Sequence, residues 1–306
     1  RDYKFAELGR FDYTKEDCFK FHEAIKIHVL PIIDKIYERK KNKLGLATLK
    51  PWDTEAEPAG TKPLRPFTDG QDLFNKSVTC FEQINPFFAD CLKKMDSLKH
   101  FDLESRQGKA PGGYNCPLAE SGAPFIFMNA ASQMSDVTTM VHEGGHAIHS
   151  FLAHPLSLSA FKEYPMEIAE VASMSMELFT MNHWQAFFDN VHDLNRAQEH
   201  QLERTITIFP WIAIIDKFQH WVYENPNHSI EERTQAWTTI AKEFSTNSID
   251  YSGLDQYRAI GWQRRLWSRQ RSCDSPCPAI ATSANQGPAR DFARRRQFRF
   301  PVVRYP

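Results

Sequence analysis

The stretch TTMVHEGGHAIHSFL, residues 138–152, constrains this chain more than any other. With Val137 just before it, Met140, Val141, Ile148, Phe151 and Leu152 recur at the spacing of a buried helical stripe. A helix advances about 100° and 1.5 Å per residue, so His142 and His146 project from one face a single turn apart. Two imidazoles so placed suit two cis positions on a tetrahedral zinc, and Glu143 beside them can reach a metal-bound water without itself ligating the metal. His-Glu-x-x-His arises by chance in a chain of this length about once in a hundred. The third ligand therefore carries weight.

Position 152 is Leu, which excludes the pattern with a further His six residues after His146. Downstream, EYPMEIAEVASMSMELF places Glu163, Glu167, Glu170 and Glu177 on a segment whose Ile168, Val171, Met174 and Leu178 recur at core spacing. Glu170 follows His146 by 24 residues, enough for one helix to end, a loop near His154 and Pro155 to turn, and a second helix to return alongside. A glutamate on an otherwise apolar helix is costly to bury without a cation or a donor. Spacing alone leaves more than one of these open, with Glu167 one turn back from Glu170. Glu163 and Glu167 read best as solvated surface. Glu177 is either an acceptor that orients a ligand histidine or a member of an ordinary ion pair.

With 306 residues, 42% of them hydrophobic, the chain is long enough for one large domain or two modest ones with a buried core. It has no apolar run long enough to span a bilayer and no signal-peptide pattern at its start, so no membrane partner is expected. It opens on RDYKFAELGRFDY without an initiating Met, as a sequence beginning inside a longer protein would. Cys18, Cys80, Cys91, Cys116, Cys273 and Cys277 are scattered, which fits a reducing, cytoplasmic setting better than a disulfide framework. The net charge of −1 conceals an asymmetry: ten Arg and only two Asp fall in 264–306, leaving −9 on residues 1–263. The basic run ERKKNK lacks interleaved aromatics and sits in an acidic body, so nucleic acid is not an expected partner.

The pattern along the chain is mainly helical. Thr14 and Asp17 form a helix start, and Phe21, Ile25, Val29, Ile32, Ile33 and Ile36 continue at helical spacing with a kink expected at Pro31. A Pro/Gly/Thr-rich connection over 49–70 precedes a second helix over 70–98. The apolar run Pro124–Met128 has strand character, giving a small sheet next to the motif helix. Helical periodicity then runs to about 245, with breaks expected near 154–164, 208–211 and 225–228.

GRFDYTKEDC, LKPWD, DLESRQGKAPGGY, PFIFMNAA, HEGGHAIHS and EIAEVASMSMEL occur in this order across residues 1 to about 266. Together they resemble the thimet oligopeptidase and oligoendopeptidase F family of zinc metallopeptidases, closer to the bacterial oligoendopeptidase F branch. The resemblance implies a mainly α, zincin-type catalytic domain with a small β-sheet beside the active-site helix, covering 1–266. It implies one zinc per chain held by His142, His146 and Glu170, with Glu143 as general base for hydrolysis of short peptides. It also implies a channel that admits unfolded peptides, bordered by the strand at about 124–130.

His149 reads as a hydrogen-bonded structural histidine. His22, His28, His100, His183 and His192 have no spacing that recommends them as ligands. A di-iron carboxylate bundle is a rival, since Glu143 and His146 also form Glu-x-x-His, but it needs that motif twice. A non-catalytic zinc-binding protein, or a catalytically impaired zinc-binding fragment, would carry the same ligands. From Trp267 the resemblance stops and an Arg/Pro/Ser/Cys-rich tail, 267–306, follows without helical periodicity. It reads as an aberrant, disordered basic end. A basic arm for nucleic acid or membrane, or a zinc site at Cys273 and Cys277, is the weaker alternative. The family's downstream His and Tyr donors would then be absent, and turnover impaired.

Overall fold

The structure is a computed structural model that describes residues 12–110 and 112–263. These fall into two compact units, one built from the chain up to Lys62 and from His200 onward, the other from Pro63–Glu199. The 267–306 tail lies outside the described residues.

The first unit begins with α1 (Lys15–Ala24), capped as its sequence dictates: Thr14 Oγ1 accepts from the Asp17 N–H, and the Asp17 carboxylate accepts from the Thr14 N–H. A π-helical turn, Ile25–Val29, leads into α2 (Leu30–Leu44), where Pro31 occupies the opening turn. The irregularity thus precedes Pro31 rather than falling on it. A proline ring crowds the carbonyl four residues earlier, and widening the turn that holds Ile27 relieves this. Gly45 closes α2 with φ of 67°, the left-handed conformation that favours glycine. The rest of the unit is the distal part of α7 (Val191–Glu224), then α8 (Ile230–Glu243) and the short α9 (Asp255–Ala259). Ile25, Ile215, Phe218, Trp237, Phe244 and Trp262 form its core. The break expected near 208–211 does not occur, because α7 runs straight through Pro210. One interior proline costs about 3 kcal/mol. Burial of Ile212, Ile214, Ile215 and Phe218 just beyond it, at about 1.5–3 kcal/mol each, offsets that.

The second unit holds α3 (Gly70–Ile84), α4 (Pro86–Ser97), β1 (Phe101–Glu104), β2 (Tyr114–Cys116), β3 (Phe125–Ala130), α5 (Met134–Ala153) and α6 (Met166–Met181). The single helix expected over 70–98 is two. Pro86 cannot continue α3, and Asn85 caps α4 by accepting from the Phe87 N–H at 3.0 Å. In the sheet β3 is central, parallel to β1 and antiparallel to β2. Alternate residues Ile126, Met128 and Ala130 of β3 are buried. They share one core with Phe81, Leu92 and Met95 of α3 and α4 and with Val137, Met140 and Val141 of α5. A tight turn joins β3 to α5: Asp136 Oδ2 accepts from the N–H groups of Ala131 (2.8 Å) and Gln133 (2.9 Å), which fixes where α5 starts. Among the described residues no disulfide joins Cys18, Cys80, Cys91 or Cys116, and burial pushes Cys80 and Cys91 up to about 12. Among the described residues no helix is long and apolar enough to cross a membrane.

Candidate metal centre

Helices α5 and α6 run antiparallel: His142 meets Glu177 and Glu170, whereas His146, one turn later, meets Glu170. Their close approach depends on Gly145. A Cβ there would lie 2.7 Å from Ser173 Cα and 2.9 Å from the Ala172 carbonyl oxygen, both backbone atoms of α6. On another side of α5, a Cβ at Gly144 would lie 2.7 Å from Cζ of the buried Phe81.

This packing brings His142, His146 and Glu170 together, one ligand atom of each lying within 4.8 Å of the other two. His142 Nε2 lies 3.3 Å from Glu170 Oε2, and His146 Nε2 lies 3.7 Å from Glu170 Oε1. His142 Nδ1 sits 2.7 Å from Glu177 Oε1, so Glu177 orients the ring whose other nitrogen faces the cluster. Ser173 Oγ donates to Glu170 Oε2 at 3.0 Å and holds that carboxylate in turn. Two imidazole nitrogens and a carboxylate oxygen, converging in a buried site with their outer partners in place, are a donor set that fits zinc.

The electrostatics follow from burial and from the two glutamates. Burial alone would lower His142, but Glu170 and Glu177 on its two nitrogens outweigh it and raise the ring to about 10. His146 is lowered to about 4, by burial first and then by the neighbouring His142. Burial acts against the Glu170 carboxylate, yet His142 holds it below the usual range. Glu143, also buried, is raised to about 7 by loss of water, with His142 opposing the rise and Glu170 adding to it. The main chain of Asn115 on β2 lowers it somewhat, and the Asn115 side chain donates to the Glu143 carbonyl at 3.3 Å. The sheet beside α5 thus supports the turn that carries Glu143.

The remaining candidates lie elsewhere. Glu163 is exposed, as expected; Glu167 is half-buried. His149 is outside the cluster, stacked on Tyr164 with ring centroids 3.7 Å apart. Its Nδ1 is buried without a hydrogen-bond partner, so ring packing rather than a hydrogen bond holds it, and burial lowers its pKa. The apolar stripe read along α6 does not face the core: Ile168 is 52% exposed, Val171 60% and Leu178 38%, and Leu152 on α5 is 57% exposed. Contact with α5 falls to the face carrying Ala169, Glu170, Ser173 and Met176, all buried, because Gly145 packs against Ser173 and Met176. Asn115 and Ser173 escaped the sequence reading. Ser173 had a faint signal, lying three residues after Glu170 on the same helical face; Asn115 had none.

A helix pair with two histidines one turn apart, a glutamate opposite and a second glutamate beside the first histidine defines a chain built around a candidate metal cluster. The model described as Peptidase family M3 matches residues 1–260, and the chain belongs to that family. An oligoendopeptidase F homolog of Lactococcus lactis subsp. lactis is 27% identical over 155 residues, which are 51% of this chain and 25% of that protein. A solved structure assigned to oligoendopeptidase F superposes with a TM-score of 0.82 at 26% identity, covering 92% of this chain and 49% of the other. Another, PZ peptidase A with an inhibitor, gives 0.80 at 28% identity and covers 96% and 56%. The chain therefore matches about a quarter of the length of such curated relatives and about half of the solved structures.

Proposed function

We propose that this chain carries the metal-binding and catalytic core of a zinc-dependent endopeptidase acting on short peptides, with His142, His146 and Glu170 as ligands and Glu143 as general base. The observation that carries the reading is the convergence of two imidazole nitrogens and a Glu170 oxygen within 4.8 Å, beside a buried Glu143. Membership of family M3 and the likeness to oligoendopeptidases supply the substrate class. Zinc, when bound, acidifies water and polarises a peptide carbonyl. The chain's own residues do the rest. Glu143, raised toward neutrality, accepts a proton from the attacking water and passes it to the leaving amine. Glu177 fixes which nitrogen of His142 faces the cluster, and Ser173 fixes Glu170.

The test is hydrolysis of short fluorogenic peptides by the chain, before and after chelation and zinc return, alongside Glu143→Gln. Glutamine keeps the size of the side chain and removes its basicity, so bound zinc should stay at wild-type stoichiometry while turnover drops by about 10²–10⁴. Loss of zinc with activity would give Glu143 a structural or ligand role. A second reading, which the same ligand set would serve, is a zinc-holding chain with depressed turnover. Stoichiometric zinc without chelator-sensitive cleavage would favour it.

A further inference from the structure

The first unit contains a second convergence of ligand-type side chains. Cys18 Sγ, an Asp216 carboxylate oxygen and a His220 ring nitrogen all lie within 4.8 Å of one another. Asp216 and His220 are four residues apart on α7, so they share a face; Cys18 comes from α1. His220 Nε2 lies 3.5 Å from Asp216 Oδ2. His22, one turn after Cys18, places its Nε2 2.9 Å from the same oxygen, and its Nδ1 is buried without a hydrogen-bond partner. His22 and His220 are only 1% and 3% exposed. Phe19 packs edge-on to His220 and Phe244 edge-on to His22, giving the cluster apolar walls. Cys18 is partly exposed, which provides a route from solvent.

We propose that Cys18, Asp216 and His220 form a second metal site, for zinc or a similar borderline divalent cation, with His22 as the residue that positions Asp216. A thiolate, an imidazole and a carboxylate on two packed helices are the donor mixture such cations take. The residues between the paired positions are Phe19, Lys20 and Phe21 on α1, and Lys217, Phe218 and Gln219 on α7. Neither stretch carries a carboxylate or imidazole in the position that Glu143 holds between His142 and His146. The site ties α1 to α7 rather than activating water.

Cobalt(II) titration of the full chain tests this, because thiolate-to-cobalt charge transfer absorbs in the near ultraviolet and the His142, His146 and Glu170 set contains no sulfur. Wild type should take up two equivalents and show that absorption. His146→Ala, weakened at the other cluster, should keep it at one equivalent, so the second site is scored whether or not the first behaves as proposed. Cys18→Ser should abolish the absorption and remove one equivalent, and His22→Gln should weaken uptake about 10–100-fold. Should Cys18→Ser fold poorly by circular dichroism, Asp216→Asn must show the same loss of affinity. Absence of the charge-transfer absorption in wild type, or its survival in Cys18→Ser, would overturn the proposal and leave Asp216 as a plain acceptor between two histidines.

Discussion

The two clusters share one plan and differ in what surrounds it. Each takes two ligand-type groups one turn apart on a long helix, His142 with His146 on α5 and Asp216 with His220 on α7, and a third from the helix packed against it. Each has an outer partner, Glu177 for His142 and His22 for Asp216. Only the first places a buried carboxyl, Glu143, between its paired residues; the second has lysine and phenylalanine there. Helix packing makes a metal cluster accessible to many sequences, and the residue beside the ligands decides whether it can move a proton.

The sharpest way to probe that difference is pH. Metal at the first cluster needs a neutral His142, which the metal-free chain keeps protonated up to about 10. Apparent zinc affinity of that cluster, measured in Cys18→Ser, should therefore rise by up to about tenfold per pH unit from pH 7 toward 10. Stability of the metal-free chain moves the other way. The His142 value is raised above its ordinary 6.5, so the Glu170–His142–Glu177 contribution is complete below about 6.5 and lost as pH climbs through about 10. Thermal melts with and without zinc should diverge across this window. Parallel curves would mean that His142 is not a ligand.

A smaller effect is expected from Glu177→Gln, which weakens the acceptor on His142 Nδ1 while keeping its shape. Zinc affinity should fall about 10–100-fold, with uptake at the Cys18 cluster unchanged by cobalt absorption. Equal loss at both would indicate general destabilisation. Smallest is Gly145→Ala: a Cβ 2.7 Å from α6 backbone forces the helices apart, at a cost of about 1–3 kcal/mol read as a lower melting temperature. Helix propensity favours Ala over Gly at 145 by about 1 kcal/mol, so any loss of stability there is steric.

Much of the first cluster was legible because a helix turns sequence spacing directly into geometry. The pairing of His142 with His146 follows from the 3.6-residue repeat, and the cap at Thr14 and Asp17 is a local pattern that no distant contact has to complete. What escaped depends on partners far along the chain. Apolar spacing on α6 could not reveal that Ile168 and Val171 face outward, since the packed face is chosen by Gly145 on another helix. His22 carried no ligand pattern by itself, because the cluster it joins is assembled from residues 198 positions apart, Cys18 to Asp216. Pro86 and Pro210 have the same local chemistry, yet one starts a helix and the other is absorbed inside one. The difference lies in the flanks: Asn85 caps a new helix, while apolar residues on both sides of Pro210 hold the old one together.

The contact between Gly145 and Ser173 also changes how the motif itself should be counted. Written as His-Glu-x-x-His, it leaves two positions open to any residue and turns up by accident. In this fold the second of them is not open, since a methyl group at 145 would be driven into the backbone of α6, whereas at 144 it would meet only the end of the Phe81 side chain. The pattern that the packing favours is His-Glu-x-Gly-His, and a scan that demanded this glycine would discard most accidental matches before a third ligand was ever sought.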